Sequence, residues 1–181
     1  AYPTVTLLEG LKNAGFELNT ELSDFYTSYR ADRPVVGMFS QDWTLPEPEA
    51  AQYTDEMMNN AKAFSDTAMV VITRVGGEGA DLPSGENGTN DSWIKGQEGD
   101  GNYLALSAEE KELLQNLKTL KDNGTFKKII VLINSSNAIE MDFLNPEICG
   151  EDYGIDSAMW IGDVGQTGIN GWASCCPALA P

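Results

Sequence analysis

The chain has 181 residues, 41% of them hydrophobic, which is enough to bury one sizeable core and short for two domains. Eleven Lys and Arg stand against twenty-eight Asp and Glu, a formal net charge of -17, so nucleic-acid phosphates and anionic membrane surfaces are repelled rather than bound. There is no histidine, which removes the usual general base, the Ser-His and Cys-His nucleophile pairs and the commonest zinc ligand, and leaves any chemistry to carboxylates.

In chain order, Leu7, Leu8, Leu11 and Ala14 share one helical face that Gly15 closes, and Leu22, Phe25, Tyr26 and Tyr29 form a second stripe after Thr20. Phe16 to Leu18 reads as a short strand between them. Val35 to Phe39 is the first of four short, nearly continuous apolar runs. Ala68 to Thr73, Lys128 to Ile133 and Ala158 to Ile161 are the others, and all four read as buried strands. Met57, Ala61 and Phe64 mark a helix before the second run. Ser107 and Glu110 form a capping box that starts a helix through Leu113, Leu114, Leu117 and Leu120, ending near Gly124. Strands alternating with helices at this spacing predict an α/β domain with a largely parallel sheet and helices on both faces.

From Arg74 to Tyr103 the chain is dominated by Gly, Asp, Asn and Ser, a connection without elements of its own that leaves the carboxyl end of the second strand. Ligands of open α/β sheets bind beyond the carboxyl ends of strands, so a site here and a solvated insertion are both consistent with the composition. Within it, Gly76-Gly77-Glu78-Gly79-Ala80-Asp81 fails the spacings of a phosphate cradle, has no Lys, and places two carboxylates where an anion would sit. It matches the start of a calcium-binding nonapeptide in a single copy without a tandem partner. The third reading is Glu78 held between two glycines as a general acid. Trp93 and Tyr103 are either platforms for the apolar faces of sugars or packing anchors.

Cys149, Cys175 and Cys176 have no metal or redox spacing and do not make a disulfide framework. The Asn-x-Ser/Thr triplets at Asn87, Asn90, Asn123 and Asn134 carry meaning only in a secretory eukaryote. No run approaches the roughly 20 apolar residues of a membrane span. The opening Ala1-Tyr2-Pro3 has neither an initiator Met nor a signal-peptide profile, and leads to the expectation of a piece of something larger.

The run from Asp66 through Arg74, Gly76-Gly77-Glu78-Gly79 and Asp81 to Pro83 resembles the C-terminal α/β sandwich domain of glycoside hydrolase family 3, the β-glucosidases and relatives. The likeness continues in order through Leu104 to Ser107, Lys128 to Asn134, and Asp156 to Gly168, and the opening Thr6 to Gly15 resembles the helix that begins that domain. It implies a three-layer α/β/α sandwich with about six strands, mostly parallel, over residues 1–173. It also implies a preceding TIM-like barrel that carries the aspartate nucleophile, a carbohydrate substrate, and no cofactor. Glu78 falls on the general acid/base of relatives with a Gly-Glu-Gly segment, with Arg74, Asp81 and Trp93 expected against the sugar.

Departures from the family pattern keep alternatives open. Asp81 is followed by Leu82 where many relatives have Arg, so Glu86, Asp91, Glu98 and Asp100 are possible substitutes for Glu78. Asn134-Ser135-Ser136-Asn137-Ala138 stands where relatives often have Asn-x-Gly-x-Pro. After Ala173 the likeness stops, and residues 174–181 read as an atypical tail. The implied activity is retaining hydrolysis of terminal β-linked sugars by the whole enzyme, with this fragment inactive alone. The rivals are a small-ligand-binding module and a scaffold for the barrel.

Overall fold

Three of the four apolar runs lie side by side in one parallel sheet. In this computed structural model the described residues are 5–29, 31, 41–42, 46–74, 94–95 and 102–162. β2 (Thr67–Arg74), β4 (Lys128–Ser135) and β5 (Ser157–Trp160) are hydrogen-bonded in the order β2-β4-β5, with Val70 opposite Val131 and Ile133 opposite Trp160. β4 is central and buried on both faces, as its unbroken Ile-Ile-Val-Leu-Ile sequence demands. β2 is a sheet edge among the described residues, and its Val71 is exposed.

β2 and β4 form a β-α-β unit whose helix, α4 (Ala108–Asp122), begins as the sequence predicts. Ser107 Oγ accepts from Glu110 N at 3.2 Å, and the Glu110 carboxylate accepts from Ser107 N at 2.8 Å. Gly124, at φ +82°, adopts the left-handed conformation that ends the helix. Leu114 and Leu117 of α4 pack on Val70, Ile72, Ile129, Val131 and Ile133, the main core. On the opposite face Ile130 and Leu132 meet Ile161, with Leu7, Met69 and Met159 around them.

α1 (Leu7–Asn13) and α2 (Thr20–Ser28) flank Gly15, and their caps are Thr6 and Asn19. Phe16 to Leu18 is not a strand. Phe16 N donates to Leu11 O at 3.0 Å to close α1, and Asn19 already caps α2, which leaves too few residues to pair with anything. α3 (Asp55–Phe64) buries Met57 and Ala61 but exposes Phe64, and it packs against α2.

The connection from Arg74 to Tyr103 is not without elements. β3 (Ile94–Lys95) pairs in parallel with β1 (Gln41–Asp42), a two-residue ladder too short to leave a periodic signal. α5 (Pro146–Cys149) precedes β5. The predicted strand Val35–Phe39 lies outside the described residues. The described residues thus show an α/β fold with a three-stranded parallel sheet and a separate two-stranded one, rather than the six strands expected. Among them no helix is long and apolar enough to cross a membrane.

Candidate functional site

Because β2, β4 and β5 run the same way, their carboxyl ends share one edge, where Arg74 lies opposite Ser135. Arg74 is the last residue of β2, and its side chain points with Val70 and Ile72 toward α4, since alternate strand residues share a face. It is buried, with no side-chain exposure.

A guanidinium has five N–H donors, and each of these has an acceptor within the fold. Nε donates to Tyr103 O at 2.7 Å, and Nη1 to Thr73 O at 2.8 Å. The paired Nη1 and Nη2 donate to Glu110 Oε1 and Oε2 at 2.8 and 2.7 Å, a bidentate ion pair, and Nη2 also donates to Ala105 O. The Tyr103 ring lies 6.0 Å from the guanidinium carbon.

Glu110 therefore has two duties. Its Oε2 accepts from both Ser107 N and Arg74 Nη2, so one carboxylate closes the helix cap and neutralises the buried cation. Tyr103 is 2% exposed and takes the packing role of the two open to it. The neighbouring backbone is fastened as well: Glu140 N donates to Leu104 O at 3.0 Å, and Asn102 Nδ2 donates to the Glu140 carboxylate.

At the same edge Trp160 is 59% exposed, its indole N–H donating to Ser135 O at 2.7 Å. Ser135 Oγ in turn donates to Asn137 O at 2.8 Å. Among the described residues Asn137 Oδ1 is a buried acceptor without a hydrogen-bond partner. Trp160 belongs to the apolar run Ala158 to Ile161, for which the sequence predicts burial. Its exposure goes with its place at the end of β5, an edge strand among the described residues, which periodicity alone does not reveal.

Of the expected site residues, only Arg74 is among those described. Glu78, Asp81 and Trp93 lie outside them, as do Glu86, Asp91, Glu98 and Asp100. Arg74 sits where the sequence places it, at the carboxyl end of the strand, but it faces the interior.

A second polar cluster is built on Glu47. The Glu47 carboxylate accepts from Tyr26 Oη at 2.7 Å and from Tyr53 Oη. Desolvation, with the negative charges of Glu110 and Glu109 adding to it, holds the Glu47 carboxyl above its ordinary range. Burial and the same carboxylate push the Tyr26 and Tyr53 phenols upward. A shallow cleft of about 320 Å³ is lined by Glu49, Ala50, Ala51, Ala108, Glu109 and Glu112. Among the described residues no group of three or more His, Cys, Asp or Glu could hold a metal ion.

The chain is similar over nearly its whole length to β-glucosidases. It is 29% identical over 170 residues to a β-glucosidase of Ruminococcus albus, a match covering 92% of this chain and 15% of that protein. Among solved structures, a β-glucosidase from Paenibacillus barengoltzii superposes with a TM-score of 0.59 at 26% identity, over 95% of this chain and 16% of the other. The chain thus spans about one-sixth or less of the length of these relatives. No family profile matches it.

Proposed function

We propose that this chain is the C-terminal domain of a retaining glycoside hydrolase of family 3, a β-glucosidase-like enzyme acting on terminal β-linked sugars. The observation that carries the reading is the likeness to β-glucosidases across nearly all of this chain and only a small part of each relative. It agrees with the ordered run of motifs from Thr6 to Gly168. In this reading residues 1–173 form a three-layer sandwich of about six strands, residues 174–181 are an atypical tail, and a barrel elsewhere in the polypeptide supplies the nucleophile.

Retaining hydrolysis needs two carboxyl groups about 5–5.5 Å apart. The barrel aspartate attacks the anomeric carbon while Glu78 protonates the departing glycosidic oxygen. Glu78, now a carboxylate, then takes a proton from the water that attacks the glycosyl-enzyme, which restores both groups. Glu78 must be protonated at working pH, and closure against the barrel would raise its pKa by desolvation. Asp81 and Trp93 follow on the same segment as sugar contacts. The 181-residue chain alone lacks the nucleophile and is inactive.

The test is Glu78→Gln in the full-length polypeptide, assayed on β-glucosides of graded leaving-group ability. General acid catalysis contributes about 10²–10⁴-fold, so kcat/KM for poor leaving groups falls by that order while activated aryl glucosides are far less affected. Unchanged rates across the series would remove Glu78 from the reaction and turn attention to Glu86, Asp91, Glu98 and Asp100.

A further inference from the structure

The segment that bears Glu78 and the alternative carboxylates departs from β2 at Arg74 and leads, beyond β3, to Asn102 before α4. Both of its ends converge on one side chain. On the outgoing side Arg74 is itself the last residue of β2, and its Nη1 bonds Thr73 O. On the returning side the same guanidinium bonds Tyr103 O and Ala105 O. Through Glu110 it is joined to the first turn of α4. We infer that Arg74 and Glu110 form a clasp that positions the catalytic segment, fixing the two ends of residues 75–101 so that its acid/base carboxylate meets the glycosidic oxygen. This rests on the reading above that the acid/base lies on that segment.

The physical argument is one of direction. A cluster of apolar side chains would hold the two ends together without fixing their orientation, because the hydrophobic effect is non-directional. A planar guanidinium with five occupied donors fixes the plane and the angle of every group it touches. Its side chain is wholly buried, so water does not compete for those bonds. Glu78 follows Arg74 by four residues, and four residues span at most about 14 Å, so the fixed end at Arg74 bounds how far the carboxylate can lie from the clasp. A misplacement of about 1 Å can cost about 10²-fold in rate. Arg74 is thereby a positioning residue, and the sugar contact expected of it passes to other side chains.

The experiment uses the full-length polypeptide and compares Arg74→Lys, Glu110→Gln and the double variant Arg74→Met/Glu110→Met with Leu114→Ala, which disturbs the core of the same β-α-β unit without removing any group of the clasp. The readout is the ratio of kcat/KM for an activated aryl β-glucoside to that for an alkyl β-glucoside, with the alkaline limb of the pH profile, which reports the acid. The clasp variants are expected to raise the ratio at least tenfold and displace the alkaline limb, while Leu114→Ala leaves both unchanged. A ratio within twofold of wild type in Arg74→Lys and Glu110→Gln overturns the inference, as does an equal rise in Leu114→Ala. The double variant, which buries no lone charge, provides the same test should a single variant fail to fold. If Glu78→Gln leaves the ratio unchanged while the clasp variants raise it, the clasp stands and another carboxylate of the segment is the acid. If Glu78→Gln raises it and the clasp variants do not, the clasp fails and the assignment of Glu78 stands.

Discussion

Replacing Glu110 by Ala would leave the Arg74 cation buried and unpaired, and the structure sets the size of that effect. The pair is bidentate at 2.7 and 2.8 Å, with side-chain exposures of 0% for Arg74 and 6% for Glu110. Breaking a buried pair by removing one partner costs about 3–5 kcal/mol, because the remaining charge is uncompensated. Glu110→Ala also removes the acceptor for Ser107 N, one half of the capping box, but the losses share one carboxylate and are not summed. Each kcal/mol corresponds to about 2–4 °C for a domain of this size, so the melting temperature should fall by about 6–20 °C.

Arg74→Met should cost at least as much, since it strands the carbonyls of Tyr103, Thr73 and Ala105 as well as the carboxylate. The double variant Arg74→Met/Glu110→Met should be no less stable than the worse single variant, so the coupling is at least the smaller single loss, about 3 kcal/mol or more. Urea or thermal unfolding of the wild type, Arg74→Met, Glu110→Met and the double variant at one pH measures the cycle. Single losses below about 1 kcal/mol would place the pair in water, where ion pairs are worth that little, and would refute the burial on which the reasoning depends. Strict additivity would refute the coupling.

Leu114 is fully buried between α4 and the sheet, so Leu114→Ala should lower stability by about 2–5 kcal/mol, read as a fall in the urea midpoint at unchanged m-value. A loss below about 0.5 kcal/mol, the range of ordinary surface substitutions, would contradict its place in the core. Glu47 titrates with the opposite sign to a salt-bridged carboxylate. Its pKa is raised on folding, so between the unfolded value and the raised one the native state holds the extra proton, and stability falls as pH rises through that interval. Glu47→Gln, which keeps an acceptor for the Tyr26 and Tyr53 hydroxyls, should flatten this slope and hold or raise the melting temperature at neutral pH. A scan from mildly acidic to neutral pH in which the two proteins keep parallel slopes would contradict it.

The parts of the fold that were legible in the sequence are those set by local rules. The Ser107 to Glu110 cap, the left-handed Gly124 and the apolar run of β4 each announce themselves within a few residues, and each is where it was expected. Phe16 to Leu18 satisfies a strand pattern, with apolar Phe16 and Leu18 either side of Glu17, but a stretch this short between two helices has no partner. The ladder of β1 with β3 was missed because two residues carry no period.

The candidate site was less legible, for a different reason. Arg74 at a strand end looks the same in sequence whether it faces a ligand or the interior, and all its acceptors but Thr73 O lie 29 to 36 residues on. Glu110 reads fully as a capping residue, which hides its second duty. Alternation along β2, which puts Arg74 on the face of Val70 and Ile72, was the signal that could have placed it inside. The Tyr26, Glu47 and Tyr53 cluster joins residues 6 to 27 positions apart, and no local pattern links them.

The central claim, that Glu78 is the acid/base of a retaining glycosidase, is tested most directly by azide added to the Glu78→Ala variant of the full-length polypeptide, with the product identified by proton NMR. Once an activated glucoside has glycosylated the nucleophile, an alanine at 78 cannot activate water, and azide needs no such help. The account predicts faster turnover with azide and a glucosyl azide of β configuration, the outcome of two inversions. Turnover indifferent to azide in an otherwise active variant, with free glucose as the product, would contradict it.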